Sequence, residues 1–133
     1  MARHEILLGG PNEERLGLAR AVRIGDYVSV GGTAPILPDG SNVDADDVAA
    51  QATRCYEIVA EALARAGASP ADVVRTRTML VRIADAPHAV AARRAFLGDV
   101  RSVDTIVEVS RFIDLDWKIE IEVDAVVSDA GDR

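Results

Sequence analysis

Lysine is nearly absent from this chain. Lys118 stands alone, and the remaining basic groups are arginines scattered from end to end. The net charge is −7 and the pI is near 4.7. That balance excludes a general affinity for nucleic acid or anionic membrane, since both require clustered basic groups. Cysteine is also scarce. Cys55 is the single one, so no intramolecular disulfide can form. It sits in a helix-like stretch and reads as a buried thiol; a nucleophilic role would need a cationic neighbour. The two histidines, His4 and His88, have no metal-site spacing and read as surface residues. No apolar run approaches the ~20 residues of a membrane span, and the first residues lack a basic-then-apolar signal pattern. These absences predict a cytoplasmic protein with no membrane or nucleic-acid partner. Gly31-Gly32 has neither the lysine nor the helix start of a phosphate loop. No Ser-His-Asp arrangement can be assembled, and nothing in the sequence calls for a metal or a cofactor.

What is present fits one domain of 133 residues, 49% hydrophobic and free of repeats. A short apolar run at 5–8 ends at Gly9-Gly10-Pro11, and a polar loop follows at 12–15. Residues 19–24 and 27–30 read as strands joined by the Gly25-Asp26 turn. Gly31-Gly32 interrupts the second strand and predicts a bulge or a close backbone approach. A loop spans 35–40. Apolar residues Val48, Ala52, Cys55, Tyr56, Val59, Leu63 and Ala66 recur at helical spacing, which predicts a helix over 46–66. Asp44 and Asp46 are its expected caps, and Gly67 its stop. Residues 74–83 read as a strand. A second helix opens at Asp85-Ala86-Pro87 and runs to about Leu97. Strands follow at 104–109 and 118–127. The last alternates: Ile119, Ile121, Val123 and Ala125 on one face, Lys118, Glu120, Glu122 and Asp124 on the other. The expected architecture is an α/β fold of order βββ-α-β-α-ββ. Two helices cover one face of a single, mostly antiparallel sheet, and the other face awaits a partner.

Several segments together resemble a known family. Residues 20–33 are similar to its opening hairpin, 51–67 to its first helix, and 72–77 to its central strand. Val107-Glu108-Val109 followed by Ile119-Glu120-Ile121-Glu122 resembles its C-terminal signature. The match covers nearly the whole chain in order, and the chain is identified as a divergent member of the RidA/YjgF family, also called Rid or L-PSP-like. The resemblance implies a chorismate-mutase-like α/β sandwich. It implies a homotrimer with a central barrel and small-molecule clefts between subunits. It also implies hydrolysis of reactive enamines and imines, such as 2-aminoacrylate, to a keto acid and ammonia.

The family grips its substrate carboxylate with an arginine in a Pro-Ala-Arg-Ser-x-Val-Glu-Val motif. Counted back from Val107-Glu108-Val109, Asp104 occupies the arginine position, Thr105 the serine position and Ile106 the variable one. Arg101-Ser102 lies three residues early, an odd shift that reverses the face in an unbroken strand. A bulge would be needed to bring Arg101 back. Other positions differ as well. Leu18 matches a tyrosine, Val90 falls near an asparagine, and Gly31 replaces a serine while Gly32 keeps the glycine. Glu120 remains, the acid the resemblance assigns to holding and polarising the attacking water. Without the resemblance, Glu120 reads equally well as a solvated carboxylate on a polar strand face.

Glu120 and Asp104 are therefore the candidate catalytic pair. Leu18, Gly31, Gly32, Val90, Thr105 and Ile106 are candidate ligand-binding positions. If Asp104 and Glu120 share a cleft, a carboxylate ligand is repelled and one carboxyl is pushed up in pKa. Three readings stay open at this point: an enamine or imine deaminase-like hydrolase, a ligand-binding or regulatory trimer without turnover, and an enzyme with new acid–base chemistry. The ribonuclease label that the family also carries is opposed by the acidic balance.

Overall fold

The computed structural model describes residues 1–128. The elements are β1 (Arg3–Ile6), α1 (Pro11–Leu16), β2 (Ala21–Ile24), β3 (Tyr27–Thr33), α2 (Val48–Arg65), β4 (Val73–Leu80), α3 (Ala86–Leu97), β5 (Val103–Glu108) and β6 (Ile119–Val126), with 3₁₀ turns ahead of β4 and α3. The strands form one six-stranded sheet in the order β1-β2-β3-β6-β4-β5. Every pairing is antiparallel except β4 with β5, which the α3 crossover makes parallel. The expected single sheet with two long helices on one face is the observed architecture.

Alternation along the strands explains why only one face is covered. Ile119, Ile121, Val123 and Ala125 of β6 are buried, and so are Thr76, Thr78 and Leu80 beside them on β4. On α2, Ala52, Cys55, Tyr56, Val59, Ala62 and Leu63 bury a stripe at helical spacing against this face. Ala89, Ala92 and Leu97 of α3 close the core, and Phe96 stacks on Tyr56 with ring centroids 4.9 Å apart. Gln51 is fully buried and satisfied: its amide donates to Val43 O and Asp116 O and accepts from Lys118 N–H. It ties the first turn of α2 to the entry of β6.

The sequence reading needs four local corrections. The polar stretch 12–15 is part of a helix, with Pro11 in its first turn and Gly17 left-handed at its end (φ 68°). The first strand lies at Arg3–Ile6, because it pairs with Ala21–Ile24 and leaves Leu7 and Leu8 beyond the ladder. The cap of α2 is Asp47, whose carboxylate accepts from Ala50 N–H at 2.9 Å, since the helix begins at Val48. Asp44 instead accepts from Asp46 N–H and shapes the turn before it. Finally, β4 ends at Leu80, where the ladders to both β5 and β6 run out.

Cys55 is fully buried on α2. Burial pushes its thiol well up in pKa, and the charge of Glu120 adds to this. A thiol reagent added to the native protein is expected to modify Cys55 only as fast as the core opens, so protection should collapse in denaturant. Fast stoichiometric modification in native buffer, followed by mass spectrometry, contradicts this placement.

Candidate functional site at the β3 bulge

Between Val30↔Val123 and Thr33↔Ile121, β3 advances three residues while β6 advances two. Gly31 and Gly32 therefore face the single residue Glu122, and the expected bulge is there. Two charged side chains converge on it. A Cβ placed on Gly32 would stand 2.9 Å from Glu120 Oε2, and one on Gly31 would stand 3.3 Å from Arg20 Nη2. Arg20 Nη2 donates to Gly32 O at 2.6 Å, and Arg20 O accepts from Gly31 N–H at 3.0 Å. Arg20 thus holds the bulge with both its side chain and its backbone. The absent side chain at Gly32 is what admits the Glu120 carboxyl.

Glu120 lies on the helix-free face in a row with Glu122 and Asp124. Glu122 pairs with Arg77 at 3.6 Å, and Asp124 accepts from the Tyr27 hydroxyl at 3.1 Å. Glu120 has neither an ion pair nor a hydrogen bond among the described residues. Burial raises its pKa, Arg20 opposes the rise, and Glu122 adds to it. Behind Arg20 lies Glu13, a buried carboxylate that accepts from Leu8 N–H and Gly9 N–H. Glu13 and Glu120 both favour the charged guanidinium, yet desolvation is the larger effect and lowers the pKa of Arg20.

Asp104 is elsewhere. It faces the helices, accepts from the Thr76 hydroxyl at 2.9 Å, and forms a close ion pair with Arg93 of α3. Within one chain the structure does not bring Asp104 and Glu120 together, because Asp104 shares the side of Thr76 whereas Glu120 projects from the opposite side. The rise in Glu120 pKa comes from burial and Glu122, not from Asp104. The other marked residues divide likewise. Gly31 and Gly32 meet Glu120. Leu18 is exposed just before Arg20, its N–H bonded to Glu13 O. Val90 lies on α3 one turn before Arg93. Ile106 packs against the core, while Thr105 is exposed on the far edge strand. Arg101 is exposed ahead of β5.

Sequence reading missed Arg20, Glu13 and Arg93. Arg20 stood at the head of the hairpin motif, one residue before the first buried position of β2, where alternation sends it to the uncovered face. Nothing local marked Glu13 as buried. Arg93 becomes meaningful only once β5 lies beneath α3. An open groove of about 590 Å³ lies between α1 and residues 113–117, lined partly by Asn12, Arg15, Asn42 and Trp117. It contains none of the marked residues. Among the described residues no helix is long and apolar enough to cross a membrane, and no cluster of three or more His, Cys, Asp or Glu is arranged to hold a metal.

The sequence profile described as Endoribonuclease L-PSP matches residues 14–127. The chain belongs to this family, the RidA/YjgF group. It is 34% identical over 117 residues to an uncharacterised protein of Streptomyces coelicolor, covering 88% of this chain and 87% of that protein. Among solved structures, Rv2704 of Mycobacterium tuberculosis, a member of the YjgF/YER057c/UK114 family, superposes with a TM-score of 0.85 at 36% identity, covering 95% of this chain and all of the other. Escherichia coli TdcF, solved with bound serine, gives a TM-score of 0.78 at 25% identity, covering 93% and 94%.

The sign of the Glu120 shift makes a prediction. A carboxyl with a raised pKa stabilises the fold in its protonated form below the ordinary glutamate range, and this contribution is lost as pH rises through the raised value. Ionised Glu120 therefore destabilises the protein at neutral pH. Glu120→Gln is expected to raise the melting temperature at pH 7, with the gain shrinking as pH falls toward about 4. A gain independent of pH in scanning calorimetry contradicts the shift.

Proposed function

We propose that this RidA/YjgF-family chain assembles as a homotrimer and hydrolyses a small enamine or imine in a cleft that includes Glu120. The observation that carries the reading is Glu120 itself: an unpartnered, partly buried carboxyl with raised pKa, set against a bulge that leaves it open. Raised proton affinity suits general acid–base work near neutral pH. In the imine form, Glu120 takes a proton as water adds to the C=N carbon. With the imine nitrogen already protonated, this addition gives a neutral carbinolamine. Glu120 then returns the proton to its nitrogen, the C–N bond breaks to release ammonia, and the hydroxyl proton passes to Glu120 as the C=O forms. The enamine form first takes a proton on carbon.

The trimer is supported by the helix-free face, which displays Ile24, Tyr27, Val103, Val107 and Val126. Any shared cleft for Asp104 and Glu120 requires a second subunit. Serine on TdcF supports a ligand of amino-acid size. The row Glu120, Glu122 and Asp124 opposes a nucleic-acid backbone. A second reading, binding without turnover, is favoured by Asp104 at the family's arginine position.

Light scattering at micromolar concentration should give about three times the chain mass of 14.1 kDa; a stable monomer removes the shared cleft. For catalysis, 2-aminoacrylate generated in situ should be hydrolysed faster than in buffer. Glu120→Gln should lower kcat by about 10²-fold or more. Gly32→Ala should lower it comparably while the fold survives, because the new Cβ meets only the flexible end of Glu120. Turnover unchanged in both variants removes Glu120 from the chemistry.

A further inference from the structure

Arg20 is a partly buried cation that forms no direct ion pair, although Glu13 and Glu120 lie near enough to favour its charge. Its Nη2 is bound to a neutral carbonyl, Gly32 O, and its Nε is buried with no protein partner. Among the described residues no carboxylate forms an ion pair with it; Glu13 is turned to the Leu8 and Gly9 amides. This contrasts with Arg93, already matched by Asp104. A desolvated guanidinium is costly unless its N–H donors are met directly as well as its charge balanced nearby, and here the donors are largely unmet. The bulge holds this cation beside Glu120, since both side chains converge on Gly31-Gly32.

We propose that Arg20 is the anion-binding residue of the bulge site and that its ligand carries a carboxylate, held by the guanidinium beside Glu120. This rests on the reading of Glu120 as the working carboxyl. The positive charge that the family carries at the position of Asp104 is thereby supplied from β2's entrance. Asp104, neutralised by Arg93, does not repel the ligand. A guanidinium recognises a carboxylate through paired N–H donors, which a lysine ammonium matches only in charge. The ligand class is a small α-imino or α-keto acid, the carboxylate oriented by Arg20 and the reacting carbon turned to Glu120.

The test is calorimetric binding of pyruvate, with pyruvamide as its uncharged counterpart. The native protein is expected to prefer pyruvate. Arg20→Gln should weaken pyruvate by at least about tenfold and leave pyruvamide unchanged. Arg20→Lys, which retains charge and a donor for Gly32 O, should fold and bind pyruvate several-fold more weakly. It serves as the measurement if Arg20→Gln does not fold, and unchanged affinity in it then overturns the proposal. Equal native affinity for the two probes, or pyruvate affinity lost in Arg93→Gln or Arg101→Gln but kept in Arg20→Gln, also overturns it. Glu120→Gln separates the two readings. If it keeps full turnover while Arg20→Gln loses pyruvate, the catalytic assignment fails and the Arg20 assignment stands.

Discussion

Everything in this fold hangs on the strict alternation of β6 at the centre of the sheet. Ile119, Ile121, Val123 and Ala125 face the helices and its acidic residues face away. A one-residue slip would put three carboxylates under α2 and expose the isoleucines, so the register is strongly specified. Because β6 pairs on both sides, β3 and β4 inherit that polarity. The same rule that builds the core lines the opposite surface with titratable groups.

The two faces handle charge differently. Beneath α3, Asp104 is matched by Arg93 and by the Thr76 hydroxyl, a closed set in which donors and acceptors meet. At the bulge, Arg20 and Glu120 stand near each other without forming an ion pair, and each is partly desolvated. A matched pair is structural in character; a pair of unsatisfied groups converging on bare backbone is what a ligand site requires. The Tyr56 hydroxyl adds a footnote on the closed side. It is buried beside Thr78 without well-formed hydrogen-bond geometry, and burial, with Asp104 adding, raises its pKa.

Legibility followed the range of the signal. The α2 stripe and the β6 alternation are local patterns, so the helix, the strand and the covered face could be read directly. The Gly31-Gly32 pair also announced its bulge, because only a backbone irregularity or a close approach uses two glycines in mid-strand. The weak points were pairings distant in sequence. That Asp104 meets Arg93 depends on how the α3 crossover lays β5 against β4, and no periodicity encodes it. Glu13 looked like a solvated loop acid because its partners, the Leu8 and Gly9 amides, are backbone groups that sequence does not display. Arg20 is two residues from the position matched to the family's tyrosine, yet its importance rests on the Gly32 carbonyl, which only the folded hairpin supplies.

The strand order also governs how the chain comes together in time. The strand that holds the centre, β6, is the last described element, and it wedges between β3 and β4, made long before it. Until residues 119–126 have emerged from the ribosome, the β1–β3 meander and the β4–α3–β5 unit are two half-sheets with raw edges, each offering unpaired backbone to any neighbour. Closure must bridge about ninety residues between β3 and β6, so the entropy of a long loop is met at the final step. A nascent chain of this protein is therefore most exposed to misassociation after β5 and before β6 has emerged.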